Sequence, residues 1–475
     1  MNPVHDAPAR PAAPHAELHR RLHAIVGDAG LVHDARAQAP YLRDWQRRWQ
    51  GRAALVVRPA DTAQTSAVMR VCHETHTPVV TQGGNTGLRG GATPDASGAQ
   101  IVLHTGRMDR IRCVDPVNLT LLADAGVTLA RVQQAAQDAG RSFALRLGSE
   151  ARCTIGGNLA TNAGGTTTIR HGAMRALTLG LEVVLPDGRV WNGLHRRHQD
   201  HGGLDLRQLL IGSEGALGVI TAAVLQLQPR PAAIATAWVG AAQLDALVAL
   251  QDALRARCGC PAAFELMSGE AVALVLAQVP GTRAPLAGRH AFQALIAWSD
   301  TCAGPLAGPL QAVLAEASAA GALGEVAFGS TPAQVQDFWR LRQGIAEAQL
   351  RAGRTHQHDV WLPLSRLSAF VAQAGALLRR QAPDVRLLCF GHLGDGSLHC
   401  GLLVPNAARA AVDDAALHAL GEALHALAAE HGGSAVAAQG ADAPRRHAHA
   451  IEADLLMRIK QALDPNHLMN PGKVF

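Results

Sequence analysis

Between Arg52 and Pro229 the apolar residues fall into short runs, each closed by glycine, proline or a polar turn. Continuous or alternating runs at Ala54–Arg58, Pro78–Gln82, Ile101–Thr105 and Leu119–Ala125 predict strands. Helical spacing appears at Thr62–His76, with Asp61 or Thr62 as the cap, and at Leu129–Ala139, ended by Gly140. Leu179–Leu185 and Arg189–Trp191 flank Pro186-Asp187-Gly188 and predict a hairpin. Gly218–Gln228 is an apolar strand closed by Pro229 and Pro231. Beyond that Pro-Arg-Pro segment the texture shifts to longer Ala/Leu helices, at Leu244–Arg257, Leu306–Ala320, Pro332–Ala352, Leu364–Gln381 and Arg409–Glu430. Strands are expected at Ala262–Met267, Ala291–Ala297, Glu325–Phe328 and Val385–Phe390, in a second domain whose sheet carries helices on one face. The division expected is a disordered or helical lead-in over 1–40, a first domain over 41–230, a second over 231–440 and a C-terminal segment over 441–475. The tail, Leu463–Phe475, reads as loop.

Composition narrows the classes. Hydrophobic residues make up 48% of 475, enough for large cores, and 3% aromatic leaves those cores to Ala, Leu and Val. A net charge of +5 without a basic stripe makes nucleic acid a poor partner and suits an anionic ligand. No apolar run approaches the ~20 residues that span a bilayer. The Pro/Ala/His-rich start has no apolar core and is expected to be a disordered lead-in, not a secretory signal. Cys72, Cys113, Cys153, Cys258, Cys260, Cys302, Cys389 and Cys400 are scattered without a C-x-x-C pattern, and read as free thiols in a reducing cytoplasm.

The candidate chemistry begins with glycine. Gln82-Gly-Gly-Asn-Thr-Gly-Leu-Arg-Gly-Gly91 follows a strand, and glycines there let backbone N–H groups approach a phosphate without Cβ obstruction. The spacing is neither the Rossmann fingerprint nor a P-loop, and a plain strand-connecting turn accounts for this loop equally well when it is taken alone. A second stretch, Gly148–Gly165, reads as one long loop of small and polar residues, and Gly212–Ile220 places further glycines before a strand. One extended diphosphate ligand crossed by several loops accounts for all three.

Gly83-Gly-Asn-Thr-Gly-Leu88, Cys153-Thr-Ile-Gly-Gly-Asn-Leu-Ala-Thr-Asn-Ala-Gly-Gly165, Ile211-Gly-Ser-Glu-Gly215, Gly391-His-Leu-Gly-Asp-Gly396 and Leu463-Asp-Pro with Asn470-Pro-Gly-Lys473 resemble the FAD-linked oxidases of vanillyl-alcohol oxidase/p-cresol methylhydroxylase type. The similar branch is that of D-lactate dehydrogenase, the glycolate oxidase FAD subunit and D-2-hydroxyglutarate dehydrogenase. The resemblance implies an α+β fold, with a two-subdomain FAD-binding domain and a ferredoxin-like cap domain on an antiparallel sheet. It implies that Gly83, Gly84, Asn85, Thr86 and Gly87 wrap the pyrophosphate, with Leu88 also among the cofactor-binding residues. Gly148, Ser149, Thr154, Ile155, Gly157, Asn158, Thr161 and Asn162 would line the flavin and ribityl chain. Glu214, Gly215, Gly218, Val219 and Ile220 would lie by the adenosine half, and Asn470 would return to the flavin. Asn85 stands where some relatives carry a covalently attached histidine, so non-covalent FAD is expected.

Oxidising a 2-hydroxy acid needs a cation for the carboxylate, a base for the hydroxyl proton and a group that polarises its oxygen. By the resemblance Arg342, in Phe338-Trp-Arg-Leu-Arg-Gln343, is the carboxylate clamp; the alternative is a surface arginine on an amphipathic helix. His392 and His399 resemble a pair of metal ligands, either as a base or as two hydrogen-bonded histidines without function. The family's third ligand and catalytic histidine are replaced by Ala438 and Gln439, its substrate lysine by Gln357, a threonine by Ala346 and an asparagine by Gly401. Gln199–Leu206 also departs from the pattern. Alanine has no donor, so no metal site is assigned and zinc is disfavoured. The expected activity is FAD-dependent oxidation of a small hydroxy acid, with electron-transfer flavoprotein, quinone or oxygen as acceptor and a homodimer left open. The alternative is a flavin-binding subunit whose catalysis has decayed.

Overall fold

The computed structural model describes residues 12–45, 47–87, 89–199, 202–300, 307–408, 410–437 and 450–474. Residues 1–11 of the lead-in expected over 1–40, and the assignments to Leu88, Ala438 and Gln439, lie outside the described residues; the rest of the lead-in is ordered, with a helix at Ala12–Val26 that begins inside the stretch expected to be disordered.

Four strands form the first sheet: β1 (Leu31–Val32), β2 (Leu55–Val57), β3 (Val79–Gln82) and β4 (Ile101–His104), in the order β1-β2-β4-β3. β2 and β3 both run parallel to β4, which requires a crossover between them. Helix Thr62–Glu74 supplies it, its first turn capped by the Asp61 carboxylate accepting from Gln64 N. Val57, Val68, Met69, Ile101 and Leu103 close this core.

Next come β5 (Ile111–Asp115), β6 (Thr120–Asp124), β7 (Arg141–Ser142), β8 (Thr178–Val184), β9 (Val190–Gly193), β10 (Val219–Gln226) and β11 (Gln228–Pro229). β7 and β11 make a short ribbon, and the others an antiparallel sheet ordered β5-β6-β10-β8-β9. All of β8 is buried. The stretch Gly148–Gly165, read above as one loop, in fact contains the helix Ile155–Ala160. Its Ile155 and Leu159 pack into the second core with Leu181 and Ala223, so a core contact overrides the glycine-rich composition.

The third sheet has eight strands: β12 (Ala233–Ala241), β13 (Ala263–Ser268), β14 (Phe292–Asp300), β15 (Val326–Phe328), β16 (Gly353–Trp361), β17 (Arg386–His392), β18 (Ser397–Pro405) and β19 (Ser434–Ala437). They are antiparallel throughout, in the order β15-β12-β14-β13-β17-β18-β16-β19. Helices cover both faces, not the one expected. Leu244–Cys258, Ala307–Ala319, Leu367–Gln381 and Asp414–Glu430 pack over Phe264 and Ile296. Gly269–Gln278, Pro332–Gln343 and Ile345–Ala352 pack over Trp238, Met267 and Leu295 on the other side. The cause is visible in β13, where Ala263–Met267 are buried on both sides without alternation. The helix expected over Pro332–Ala352 divides at Gly344. A further helix, Ala450–Leu463, precedes the irregular tail, which returns to β3 through Val79 N donating to Leu468 O and Asn470 N donating to Val79 O. No described helix is long and apolar enough to cross a membrane.

Candidate active site

The glycine-rich loop leaves β3 and turns at once against the segment before helix Ile155–Ala160. A Cβ on Gly84 would stand 1.9 Å from the Arg152 carbonyl oxygen, so only glycine fits there. Gly215, at φ +77, presses on Thr81 in the same way, with a Cβ 2.1 Å from Oγ1. Asn85, Asn162, Glu214 and Asn470 all adopt left-handed backbone, at φ 50, 47, 50 and 42. Such conformations cost free energy and cluster where a ligand is held. Asn85 is fixed by Nδ2 donating to Arg43 O at 2.8 Å, and Asn470 by Nδ2 donating to Gly91 O and Glu214 O at 2.9 and 2.7 Å.

Two buried polar atoms here have no protein partner, Thr154 Oγ1 and Asn470 Oδ1. Leaving such atoms unmet is costly, so they mark where a polar ligand completes the structure. A cleft of about 450 Å³ is lined by Tyr41, Arg43, Gln82, Gly83, Gly84, Asn85, His104 and Arg152, and Gly83 abuts Thr154 Oγ1. Burial, with Arg58 nearby, pushes His104 down to about 4, so its ring is neutral at physiological pH. The close backbone approach and the unmet hydroxyl and amide oxygen fit FAD.

Other cofactor candidates are placed differently. The position of a Cβ on Gly87 is open, and so is that on Gly148. Ser149 O accepts from Arg152 N and Cys153 N, holding the turn before Thr154. Thr161 Oγ1 donates back to Gly157 O, Asn158 Nδ2 to Cys153 Sγ, and Asn162 Oδ1 accepts from Arg175 N. Val219 and Ile220 belong to the two cores, so any contact with the cofactor would come from their backbone.

The second half of the site is a patch on one face of the third sheet. Register sets it: Glu265 on β13 lies opposite His392 on β17, Phe390 opposite His399 on β18, and His399 opposite Asp359 on β16. Side chains two apart on a strand share a face, so all five stand together. Arg342 reaches the patch from the last turn of Pro332–Gln343. Its Nε donates to Oε2 of Glu265 at 2.8 Å, and Nη2 forms an ion pair with the same oxygen, also at 2.8 Å. The other oxygen, Oε1, lies 2.6 Å from His392 Nδ1.

Glu265 is wholly buried, which by itself would favour the neutral acid, yet His392 and Arg342 hold its carboxyl below the usual range. Burial opposes charge on His392 as well, but the adjoining Glu265 carboxylate raises that imidazole above its ordinary value. Asp359 is likewise partly desolvated, yet His399 and Arg89 bring it to about 2. An ionised carboxylate only accepts, so Nδ1 of His399, 2.7 Å from Asp359 Oδ1, carries a proton, and Nε2 is the nitrogen left for chemistry. Phe390 supports both halves, with its ring centroid 5.1 Å from that of His399 and 5.1 Å from Cζ of Arg342.

Sequence reasoning named Arg342, His392 and His399, and the fold brings them together. It missed Glu265, Asp359, Phe390 and Arg89. A signal existed for Glu265, the single charge in the apolar run Phe264-Glu265-Leu266-Met267, because a buried carboxylate requires cationic partners. Gln357 stands beside Asp359 on the same face, its Oε1 3.5 Å from Gln349 Nε2, where Gly401 leaves room. Among the described residues no three His, Cys, Asp or Glu are grouped to hold a metal ion.

Comparison with known proteins bears on both halves. Residues 53–193 match the FAD binding domain family, and residues 230–474 match the C-terminal domain of FAD linked oxidases. The chain is 35% identical to a mitochondrial D-2-hydroxyglutarate dehydrogenase of Bos taurus, over 94% of this chain and 81% of that protein. It is 34% identical to the D-2-hydroxyglutarate dehydrogenase of Xanthomonas citri pv. viticola, over 92% of each. In structure it resembles p-cresol methylhydroxylase with substrate bound, at a TM-score of 0.78 and 17% identity, covering 98% of this chain and 97% of that one. With a fold of p-cresol methylhydroxylase type and matches that span both halves, the chain belongs to the FAD-linked oxidases.

Proposed function

We propose that this protein oxidises a D-2-hydroxy acid of the D-lactate, D-2-hydroxyglutarate or glycolate class. The observation that carries the reading is the sheet-face patch in which Arg342 is pinned by buried Glu265 beside two carboxylate-backed histidines. Residues of the glycine loops, with Thr154 and Asn470, would hold FAD. Bound FAD supplies the hydride acceptor, flavin N5, and that chemistry is the cofactor's own.

The chain's residues divide the remaining work. Glu265 occupies Nε and one side of Nη2, leaving Nη1 of Arg342 outside the pair and directed by a rigid fork to the substrate carboxylate. His392, biased towards the cation by Glu265, donates a hydrogen bond from Nε2 to the substrate hydroxyl oxygen. His399, oriented by Asp359, takes the hydroxyl proton on Nε2. A three-ligand zinc site does not fit this donor set, because Ala438 offers no ligand atom. No step here runs through a metal. The scattered spacing of the eight cysteines is the ground for a reducing compartment, the cytoplasm being the one proposed; Cys302 lies outside the described residues. Electron-transfer flavoprotein, a quinone and oxygen are the acceptor classes to compare.

Anaerobic mixing of the flavoprotein with a panel of D-2-hydroxy acids tests the reading. Loss of the oxidised flavin band with at least one member is the expected result. No loss with any member overturns it in favour of a flavin-binding subunit without catalysis.

A further inference from the structure

Arg89 belongs to the glycine-rich loop, yet its guanidinium faces the other half of the molecule. Its Nη2 donates to Asp359 Oδ2 at 2.8 Å, across 270 residues of chain. The other oxygen of that carboxylate, Oδ1, is the one that holds His399 Nδ1 at 2.7 Å. Each oxygen of Asp359 thus has its own partner, and together they fix the plane of the carboxylate.

The backbone on both sides of this bridge is anchored. Asp359 pairs with His399 on one flank and Val436 on the other. Past Arg89, Gly90 at φ +68 packs on the Trp49 ring, Gly91 O accepts from Asn470 Nδ2, and Ala92 O accepts from Gln82 Nε2. Ahead of it, a Cβ on Gly87 would meet no other atom within 4 Å. Arg89 therefore stands where the cofactor-facing part of the loop meets its fixed part. With a methionine at 89, Oδ2 loses this partner, Asp359 can rotate, and the imidazole behind it loses one of the contacts that aim Nε2.

We propose that Arg89 is a positioning residue for His399, acting through Asp359, and that it ties the geometry of the substrate half to the order of the flavin loop. The kinetic part rests on the function proposed above; the structural coupling does not. A loop already held by Asp359 loses less freedom when FAD binds, and by reciprocity an ordered loop holds Asp359 in place.

A double-mutant cycle on FAD affinity tests the coupling without any substrate. Apoprotein is titrated with FAD, followed by flavin fluorescence, for wild type, Arg89→Met, Asp359→Asn and the double variant. Each single change is expected to weaken FAD by about 3- to 10-fold, and the double change by no more than the larger single effect. Effects that multiply overturn the bridge. Steady-state kinetics on the FAD-saturated enzyme adds the second readout. Arg89→Met is expected to lower kcat by about 10- to 100-fold while KM moves less than about 3-fold, since Arg342 is untouched. Arg89→Lys, which keeps the charge, is expected to recover most of that loss. An unchanged kcat in Arg89→Met, or no recovery by lysine, overturns the positioning role. A coupled cycle in a protein that turns over no hydroxy acid would instead retain the bridge and remove the substrate reading.

Discussion

Glu265 and His392 face each other across neighbouring antiparallel strands, with Oε1 and Nδ1 2.6 Å apart. The same carboxylate holds Arg342 through its second oxygen. One buried anion therefore sets both the cation that would bind substrate and the imidazole beside it.

Replacing Glu265 by alanine leaves the Arg342 cation without its counter-charge and His392 Nδ1 without its partner. Breaking a buried pair in this way costs about 3–5 kcal/mol. Urea unfolding should show a loss of that order, and kcat/KM should fall by at least about 100-fold as Arg342 and His392 lose their orientation. A loss below about 1 kcal/mol would show that Glu265 is not the organising charge.

The pair also gives stability a pH profile of known sign. His392 has a raised folded value, so its contribution is complete below the unfolded imidazole value, about 6.5, and is lost as pH rises through the folded one. Glu265 has a lowered folded value, so its contribution is present above the ordinary carboxylate range and is lost as pH falls through the folded one. Stability should be greatest between these two ranges. Denaturant midpoints measured across that interval should decline on both sides in wild type, and the alkaline decline should flatten in His392→Gln.

Attachment of the cofactor is a separate matter. Asn85 offers no nucleophile for a flavin bond, and its amide is engaged with Arg43 O. Acid or heat denaturation followed by filtration should release all the yellow colour from the protein. Colour retained on the unfolded chain would contradict non-covalent binding.

Gly84→Ala tests the cradle. Its new methyl would meet the Arg152 carbonyl at 1.9 Å, a backbone atom that cannot swing away as a side-chain end would. Flavin content per protein should fall severalfold, while Gly87→Ala, whose Cβ position is open, should retain more. Equal retention in the two variants would remove Gly84 from the site.

Much of this was legible in the sequence, and what was not has physical reasons. In the first half β2, β3, β4, β6, β8 and β10 announce themselves because their apolar runs end at glycine or proline, whereas β1, β5 and β7, short or mixed in polarity, were not expected. β16 does not announce itself either, because Arg354-Thr-His-Gln-His-Asp359 is polar on both faces: it carries the site on one and a His358–His425 contact on the other. β12 is hidden because it opens on Ala233-Ile-Ala-Thr-Ala237, of which only Thr236 and Ala237 are buried while Ile234 is exposed, so its start carries no clean apolar run. Arg342, His392 and His399 could be named from their local motifs. Their pairings could not, even with the lone charge of Glu265 visible in its apolar run, because Glu265 lies 127 residues from His392 and Asp359 40 from His399, and only sheet register joins them. Arg89 stood in plain view in the loop, but its partner lies in the other half of the chain.

The most direct measurement of the central claim is anaerobic stopped-flow absorbance of wild type and Arg342→Met, mixed with the D and L forms of lactate and 2-hydroxyglutarate. The expected result is rapid loss of the oxidised flavin band in wild type with a D form, little with its L form, and reduction slowed by at least about 100-fold in Arg342→Met. A flavin that stays oxidised in wild type with every acid, or that bleaches equally fast in Arg342→Met, would contradict it.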